Sequence, residues 1–392
     1  MSNKPLDGIR VLEIGAYISA PYAGSLLAAL GADVVKVEPP EGDAFRRGMG
    51  IGSDYFVQYN AGKRSIAIDL KSKEGVALVK DMLPKFDVLI ENMRPGKMDA
   101  LGLGKDACRA VHAGLVYASI SGFGDGGPLV DRPAYDTIGQ SYGGLYSLMH
   151  DAGKPGLTGS PVADLITGVS CVMGILAGLV AKGRTGKGSA VGTSLLEAVS
   201  LITVDSMTQA FEMGEAPTRQ ARHPQAQNFC LKTSDGAAVT LHLSSSQKFW
   251  TNLLRVVERE DLLQDKRFAT YADRMVPDHY FALVDIFAKE IAKRPLAEWE
   301  EKLTALDVPY APVLDLLQYA DHPQMQWLQM TSREPGGKLL VRPPWRFDGE
   351  RPDRTQAAPH IGQHTREILQ ELRTPEQVEA LIAGGTVNAV PR

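Results

Sequence analysis

Short apolar runs alternate with glycine-bounded helical stretches through the first 120 residues, and this alternation most constrains the fold. Residues 9–14 (Ile-Arg-Val-Leu-Glu-Ile) read as a short buried strand. A loop with Gly15, Pro21 and Gly24 follows, then a helix over 25–30 that stops at Gly31. Residues 33–37 (Asp-Val-Val-Lys-Val) form the next strand, which completes a βαβ unit. Further strands fit 65–68, 88–90 and 115–119, with a helix over 74–83. The pattern predicts an α/β fold: a doubly wound, Rossmann-like large domain that starts over residues 1–195. In such sheets the ligand lies beyond the carboxyl ends of the strands, so the loops there are the place to look for chemistry.

After about residue 190 the texture changes. Residues 195–211 read as one long helix, and 214–227 as a polar, turn-rich linker. Residues 228–243 look like a hairpin around Ser234, Asp235 and Gly236. Charged amphipathic helices follow at 281–293 and 296–306. The expected organisation is therefore a helix and linker over 196–227 and a smaller α/β domain over 228–320, inserted into the large one. Residues 308–313 read as the return connection, with 321–392, including a helix over 365–372, going back to the large domain. A chain of 392 residues is long enough for two cores.

Composition removes several classes. The net charge of −4 gives no support for nucleic-acid or polybasic membrane binding. Cys108, Cys171 and Cys230 lie far apart without a CxxC pair, which argues against a disulfide framework or a zinc site, and so against a metal. They suit a reducing compartment. The N-terminus has no apolar signal core. No run reads as long and apolar enough to span a bilayer, because Gly, Ser and Cys dilute 165–181. The expected setting is cytoplasmic.

The first βαβ unit invites a dinucleotide reading, since Glu38 ends the second strand where a ribose-binding acid belongs. The glycines do not fit: no GxGxxG and no Walker motif is present. Basic residues do recur after the strands: Arg46, Arg47, Lys63, Arg64, Lys71, Arg94 and Lys97. Singly, each reads as a solvated surface charge. Together, at one edge of a parallel sheet, they suit a phosphate-bearing ligand. Asn92 and the turn Arg94-Pro95-Gly96 follow a buried strand and offer further polar contacts.

Residues 159–168 (Gly-Ser-Pro-Val-Ala-Asp-Leu-Ile-Thr-Gly) place a lone carboxylate, Asp164, ahead of a charge-free run that extends past residue 178. A buried unpaired carboxylate is costly. Two readings stand: an N-cap for a helix beginning near Thr167, or a carboxylate kept for chemistry.

Several segments resemble one family, the class III CoA-transferases (CaiB/BaiF family), which include formyl-CoA transferase and carnitine CoA-transferase. Pro5-Leu6-Asp7-Gly8-Ile9-Arg10-Val11-Leu12-Glu13 looks like the family's opening. Residues 30–38 (Leu-Gly-Ala-Asp-Val-Val-Lys-Val-Glu) with Gly42, Asp43 and Arg47 look like its second block. Asn60, Lys63-Arg64-Ser65-Ile66 and Asp69-Leu70-Lys71 resemble the third, and Glu91-Asn92-Met93-Arg94-Pro95-Gly96 the fourth. Ser121-Gly122-Phe123-Gly124, Arg132-Pro133-Ala134-Tyr135-Asp136 and Ile361-Gly362-Gln363-His364-Thr365 complete the series. Their order and spacing together are specific.

The resemblance implies that Asp164 is a catalytic nucleophile in CoA transfer between an acyl-CoA donor, such as succinyl-CoA, and a small carboxylic acid. It implies a covalent aspartyl anhydride and then an aspartyl-CoA thioester. Coenzyme A enters as substrate, with no permanently bound cofactor. CoA contacts are implied at Ser19, Arg47, Ile68, Lys71, Asn92, Met93 and Arg94, with Lys97 near the nucleotide phosphates. Tyr135 and Asp136 match a loop lining the site in relatives. Asp136 either orients an acceptor or caps a helix. Relatives form an interlocked homodimer, which is the expected assembly here.

Departures are informative. Where formyl-CoA transferase has a glutamine and an alanine after the first strand, this chain has Ile18 and Ser19; two of its arginines fall at Pro39 and Ala100. Its four-glycine loop is absent, so a lid would be built otherwise, with 244–246 as one choice. The same superfamily contains α-methylacyl-CoA racemases, whose histidine falls at Tyr135. A tyrosine is a poor base near neutral pH, which favours transfer over racemisation. His150, His223 and His242 lie elsewhere and read as structural or surface residues, although the last two fall where the small domain could touch substrate. A non-catalytic CoA-binding protein is the third reading. Basic residues near the site suit a dicarboxylate such as succinate, itaconate or citramalate.

Overall fold

The computed structural model describes residues 4–46, 53–151 and 153–390. Its central sheet contains β1 (Arg10–Ile14), β2 (Asp33–Glu38), β3 (Arg64–Ile68), β4 (Val88–Glu91), β5 (Val116–Ser121) and β6 (Ala190–Ser194). These run parallel in the order β3-β2-β1-β4-β5-β6, and a short strand, Val387–Asn388, pairs antiparallel on the outer side of β3. The predicted strands are all present. The sequence gives no strand signal for β6, whose Ala-Val-Gly-Thr-Ser is poor in large β-formers, or for the two-residue C-terminal strand.

Successive strand residues point to opposite faces, and each face is packed. Leu12, Val35, Ile66 and Leu89 join Leu78, Val79, Met82 and Cys108 on one side. Val11, Val34, Val88 and Val116 join Ala20, Ala23, Leu27, Cys171 and Ile175 on the other. The result is a mixed α/β fold with helices on both faces of a mostly parallel sheet.

The helix after β1 runs Ser19–Ala29, starting six residues before the expected point. Pro21 is tolerated because N–H groups in a helix's first turn have no intrahelical acceptor. The side chain is absent at Gly24 for a specific reason: a Cβ there would sit 1.9 Å from Glu13 Oε2. The helix that carries Asp164 also starts early. It spans Val162–Thr185 with Pro161 at its N-cap, so Asp164 lies inside the first turn and is not the cap. This helix corrects a second expectation. With a mean hydropathy of 1.9 over 18 residues, it is long and apolar enough to cross a membrane by length and composition. The interspersed Gly, Ser and Cys do not offset a stretch without charge between Asp164 and Lys182. In the structure its Cys171, Val172 and Ile175 are buried in the core beside the sheet.

The chain divides into two compact units. One comprises Met1–Tyr146, Gly156–Val204 and Gln326–Arg392; the other Ser147–Pro155 and Asp205–Met325. The bounds differ from those expected, because 147–155 groups with the second unit and the continuous helix Leu195–Met213 is shared at Val204. The second unit has its own core, including Phe229, Leu241, Trp250, Phe287 and Trp299. Its sheet contains the predicted hairpin, Asn228–Lys232 and Ala238–His242, and a third antiparallel strand, Tyr310–Pro312. That strand was expected as a return connection; Pro309 just before it and Pro312 at its end hide a strand pattern, as prolines do on sheet edges. Residues 244–246 serve locally: Ser246 Oγ accepts from Phe249 N at 3.3 Å and caps the helix Gln247–Val256.

Candidate active site

The strand order reverses between β1 and β4. The chain leaves β1 toward the Ser19–Ala29 helix on one face, and leaves β4 toward Met98 and Leu103 in the core of the other. A crevice must open at such a switch point. A cavity of about 460 Å³ occupies it, lined by 15–19 after β1, 38–41 at the end of β2 and beyond, 69–71 after β3, 92–95 and Lys97 after β4, and Ser121 and Gly122 at the end of β5. Residues 132–135, Asp164 and Leu195 complete the wall. Asn92 ties the two diverging loops together. Its Oδ1 accepts from Ala16 N at 3.0 Å, and its Nδ2 donates to Ala16 O at 2.9 Å and Ser19 Oγ at 3.2 Å.

Asp164 is not used for capping because another acid does it. Asp136 Oδ1 accepts from the backbone N–H of Ala163 at 2.9 Å and of Asp164 at 3.2 Å. Its Oδ2 accepts from Gln140 Nε2 at 2.6 Å, and the same amide reaches Ser160 O. Asp136 begins its own helix, Asp136–Tyr142, and does not line the cavity. Of the two roles open to it, geometry gives it the capping one. The Asp164 carboxylate is half-buried and accepts no hydrogen bond from the described residues. Burial, and then the Asp136 charge, push it up to about 7. Tyr59, which the sequence did not single out, is raised to about 12, first by burial and then by Tyr22 and Asp164.

The Ser19–Ala29 helix starts at this cavity without a side-chain cap and without an acid in its first turn. Its free N–H groups and positive dipole end are left available to a ligand. Gly168 lets the Asp164 helix approach that start, since a Cβ there would lie 2.9 Å from Ser19 O. Tyr17 sits in the left-handed region at φ 65°, and its ring meets Tyr135 edge-on at 6.0 Å.

The structure brings together Ser19, Ile68, Lys71, Asn92, Met93, Arg94, Lys97, Tyr135 and Asp164 around one cavity. Lys71, Arg94 and Lys97 are exposed at its rim, Ile68 is fully buried, and Tyr135 is 64% exposed. Arg47 lies outside the described residues. His150, His223 and His242 belong to the second unit.

The expected basic edge separates into two groups. Arg46 is buried, and its guanidinium grips Glu38 at 2.7 and 2.6 Å. This also removes Glu38 from any ribose-binding role, as its oxygens additionally accept from Ser65 Oγ and Asp43 N. Lys63 is buried on Glu13, and Arg64 pairs with Asp33 and Glu367. These three build structure; Lys71, Arg94 and Lys97 remain for ligand.

Sequence reasoning missed the buried charge set beneath the loop after β1. Glu13 and Lys36 are direct register partners on β1 and β2, and both side chains are fully buried. A charge flanked on both sides by apolar residues, Glu13 in β1 and Lys36 in β2, was the available signal. Glu91 at the end of β4 was also passed over. Burial pushes it up to about 7, although its carboxylate accepts from Met93 N at 2.8 Å and so shapes the loop.

Comparison with known proteins fits this geometry. Residues 6–365 match the family described as CoA-transferase family III. The chain is 32% identical over 380 residues to an acetyl-CoA:oxalate CoA-transferase of Acetobacter aceti, covering 95% of this chain and 97% of the relative. It is 30% identical to a succinyl-CoA:glutarate CoA-transferase of Mus musculus, covering 98% and 91%. A crystal structure of a CaiB/BaiF family protein from Brucella suis superposes with a TM-score of 0.83 at 30% identity, covering 95% and 100%. The chain belongs to the family III CoA-transferases. These are enzymes that act on CoA thioesters and carboxylic acids, and the racemase reading is not favoured.

Proposed function

We propose that this chain transfers CoA between an acyl-CoA and a small carboxylic acid, with Asp164 as the nucleophile. One observation carries the reading: a half-buried carboxylate with no hydrogen-bond partner among the described residues stands on the wall of a cavity at the sheet's switch point.

In the first step an Asp164 oxygen attacks the thioester carbonyl carbon, the C–S bond breaks, and CoA leaves as thiolate. The product is a mixed aspartyl anhydride. The thiolate then attacks the aspartyl carbonyl carbon and releases the donor's acid as carboxylate, leaving an aspartyl-CoA thioester. The acceptor carboxylate repeats both steps in reverse and departs as the new CoA thioester. Every C–O or C–S bond broken is replaced by another acyl bond, so the activation is conserved. Exclusion of water protects the two covalent intermediates. The uncapped start of the Ser19–Ala29 helix supports the oxyanion formed at each attack. Asp136 acts as a positioning residue that holds the first turn around Asp164.

Lys71, Arg94 and Lys97 suit the phosphates of CoA, and Ile68 and Met93 its apolar contacts. Succinyl-CoA is the donor to test first and a small dicarboxylate the acceptor class, following relatives named for oxalate and glutarate. An interlocked homodimer is proposed on the exposed Leu201, Val204, Met207 and Phe211, which recur at helical spacing along Leu195–Met213. Three free cysteines suit a reducing cytoplasm.

The test is mass spectrometry of protein incubated with succinyl-CoA and a panel of acids, with hydroxylamine as trap. A new acyl-CoA and a hydroxamate at Asp164 support the reading. No exchange, with α-proton wash-out from a branched acyl-CoA in deuterated water, overturns it in favour of racemisation.

A further inference from the structure

We infer that the buried charges Glu13, Lys36, Asp43 and Lys63 form a clamp that positions residues 15–21, and with them the free start of the Ser19–Ala29 helix, for the chemistry at Asp164. The inference rests on the proposed role of Asp164 and deepens it.

Glu13 anchors both cations. Its Oε1 accepts from Lys36 Nζ at 3.1 Å and its Oε2 from Lys63 Nζ at 2.7 Å. Each ammonium then reaches one end of the same segment. Lys36 Nζ donates to Gly15 O at 2.7 Å, and Lys63 Nζ to Pro21 O at 2.8 Å. Asp43 closes the arrangement: its Oδ2 lies 2.9 Å from Lys36 Nζ, while its Oδ1 accepts from Phe45 N at 2.8 Å and from Tyr17 N at 3.5 Å. Lys63 has a further acceptor in Asn60 Oδ1 at 2.9 Å.

A plain structural role does not account for this arrangement. A buried ion set of this kind is no more stabilising than apolar packing of equal volume. What it supplies is fixed distances in two loops. The segment it holds contains Tyr17 in an unfavourable backbone region and Ser19, whose neighbouring N–H groups carry no side-chain cap. Strained and uncapped backbone persists only where surrounding groups over-determine it. Asn92 fixes the same segment from the β4 side through Ala16 and Ser19, so the segment is held from two directions. Donors for a developing oxyanion need placement to a fraction of an ångström, and a misplacement of about 1 Å costs on the order of a hundredfold in rate.

The experiment is single-turnover formation of the Asp164 adduct from succinyl-CoA, trapped with hydroxylamine, beside CoA binding by calorimetry. Asp43→Asn keeps an oxygen for Phe45 N and Tyr17 N but removes the charge facing Lys36. We expect adduct formation to slow by about tenfold or more, while the Kd for CoA changes by less than about threefold, since the rim cations and Ile68 are untouched. Lys36→Arg is the second variant. It keeps the charge but cannot place one compact ammonium on Gly15 O, Glu13 and Asp43 together, and the same split is expected. An unchanged adduct rate in folded variants overturns the inference. So does an equal loss of rate and affinity, which would mark general loosening of the pocket. Failure of wild-type protein to form the adduct overturns the Asp164 reading itself, and the clamp's catalytic role falls with it.

Discussion

Two sets of carboxylates lie near the same sheet edge and have opposite fates. Glu13, Glu38 and Asp43 are fully paired with Lys36, Lys63 and Arg46. Asp164 has no cationic partner among the described residues, and both its burial and its acidic neighbour raise its pKa. Paired charges fix backbone; the unpaired one retains a lone pair for substrate at the cost of folding stability. The buried-strand glutamate is thus architectural, and the acid in a helix's first turn is the reactive group.

The contrast can be broken in stages. The largest effect is expected from Asp164→Ala, which should reduce CoA transfer to background while gel filtration and circular dichroism match wild type; full activity would sink the mechanism. Glu13→Gln should add a loss of stability to the slower adduct formation expected when the clamp is loosened. It leaves two buried lysines short of an anion, so a loss of about 3–5 kcal/mol is expected in urea unfolding. A loss under about 1 kcal/mol would show that the pairs are not needed for stability.

The pH dependence sharpens the comparison next. Attack requires the ionised carboxylate, so kcat/KM should rise with pH and level off above about 7. A profile flat from pH 5 to 8 would show that Asp164 is already ionised throughout. The stability linkage has the opposite sign. The folded-state pKa lies above the unfolded one, so the folded protein binds more protons between about 4 and 7 and loses stability as pH rises through that window. Asp164→Asn should therefore be more stable than wild type at pH 8, by on the order of 1–2 kcal/mol, and no more stable at pH 4. The smallest effects belong to the rim. Lys71→Ala and Arg94→Ala should each raise KM for the acyl-CoA by severalfold at low salt, with the difference shrinking as salt is added. A salt-independent change would remove them from phosphate contact.

Much of this was legible in advance where one residue's chemistry and its local pattern agree. The strands of the first 120 residues were readable from short apolar runs, and Asp164 was conspicuous as one charge before a long uncharged run. Lys71, Asn92 and Arg94 stood out by lying just after predicted strands, whereas Met93 came only from the family resemblance. Failures occurred where distant residues set the outcome. Arg46, Lys63 and Arg64 resemble Lys71 in sequence, and only their acidic partners on other strands removed them from the ligand's edge. The N-cap reading of Asp164 stood beside the chemical one because the acid that does the capping, Asp136, is 28 residues earlier in the chain. The 308–313 segment looked like a connector because two prolines mask a strand that exists by pairing with Ala238–His242.

Composition and periodicity alone determined the α/β class, the parallel core and the edge where a ligand belongs, because these follow from short-range alternation of apolar and polar residues. Tertiary structure decided which charges neutralise one another and which, like Asp164, stay unpaired among the described residues. Electrostatic pairing depends on distances of about 3 Å between residues on separate elements, as with Glu13, Lys36 and Lys63, and no local pattern in the chain encodes those distances.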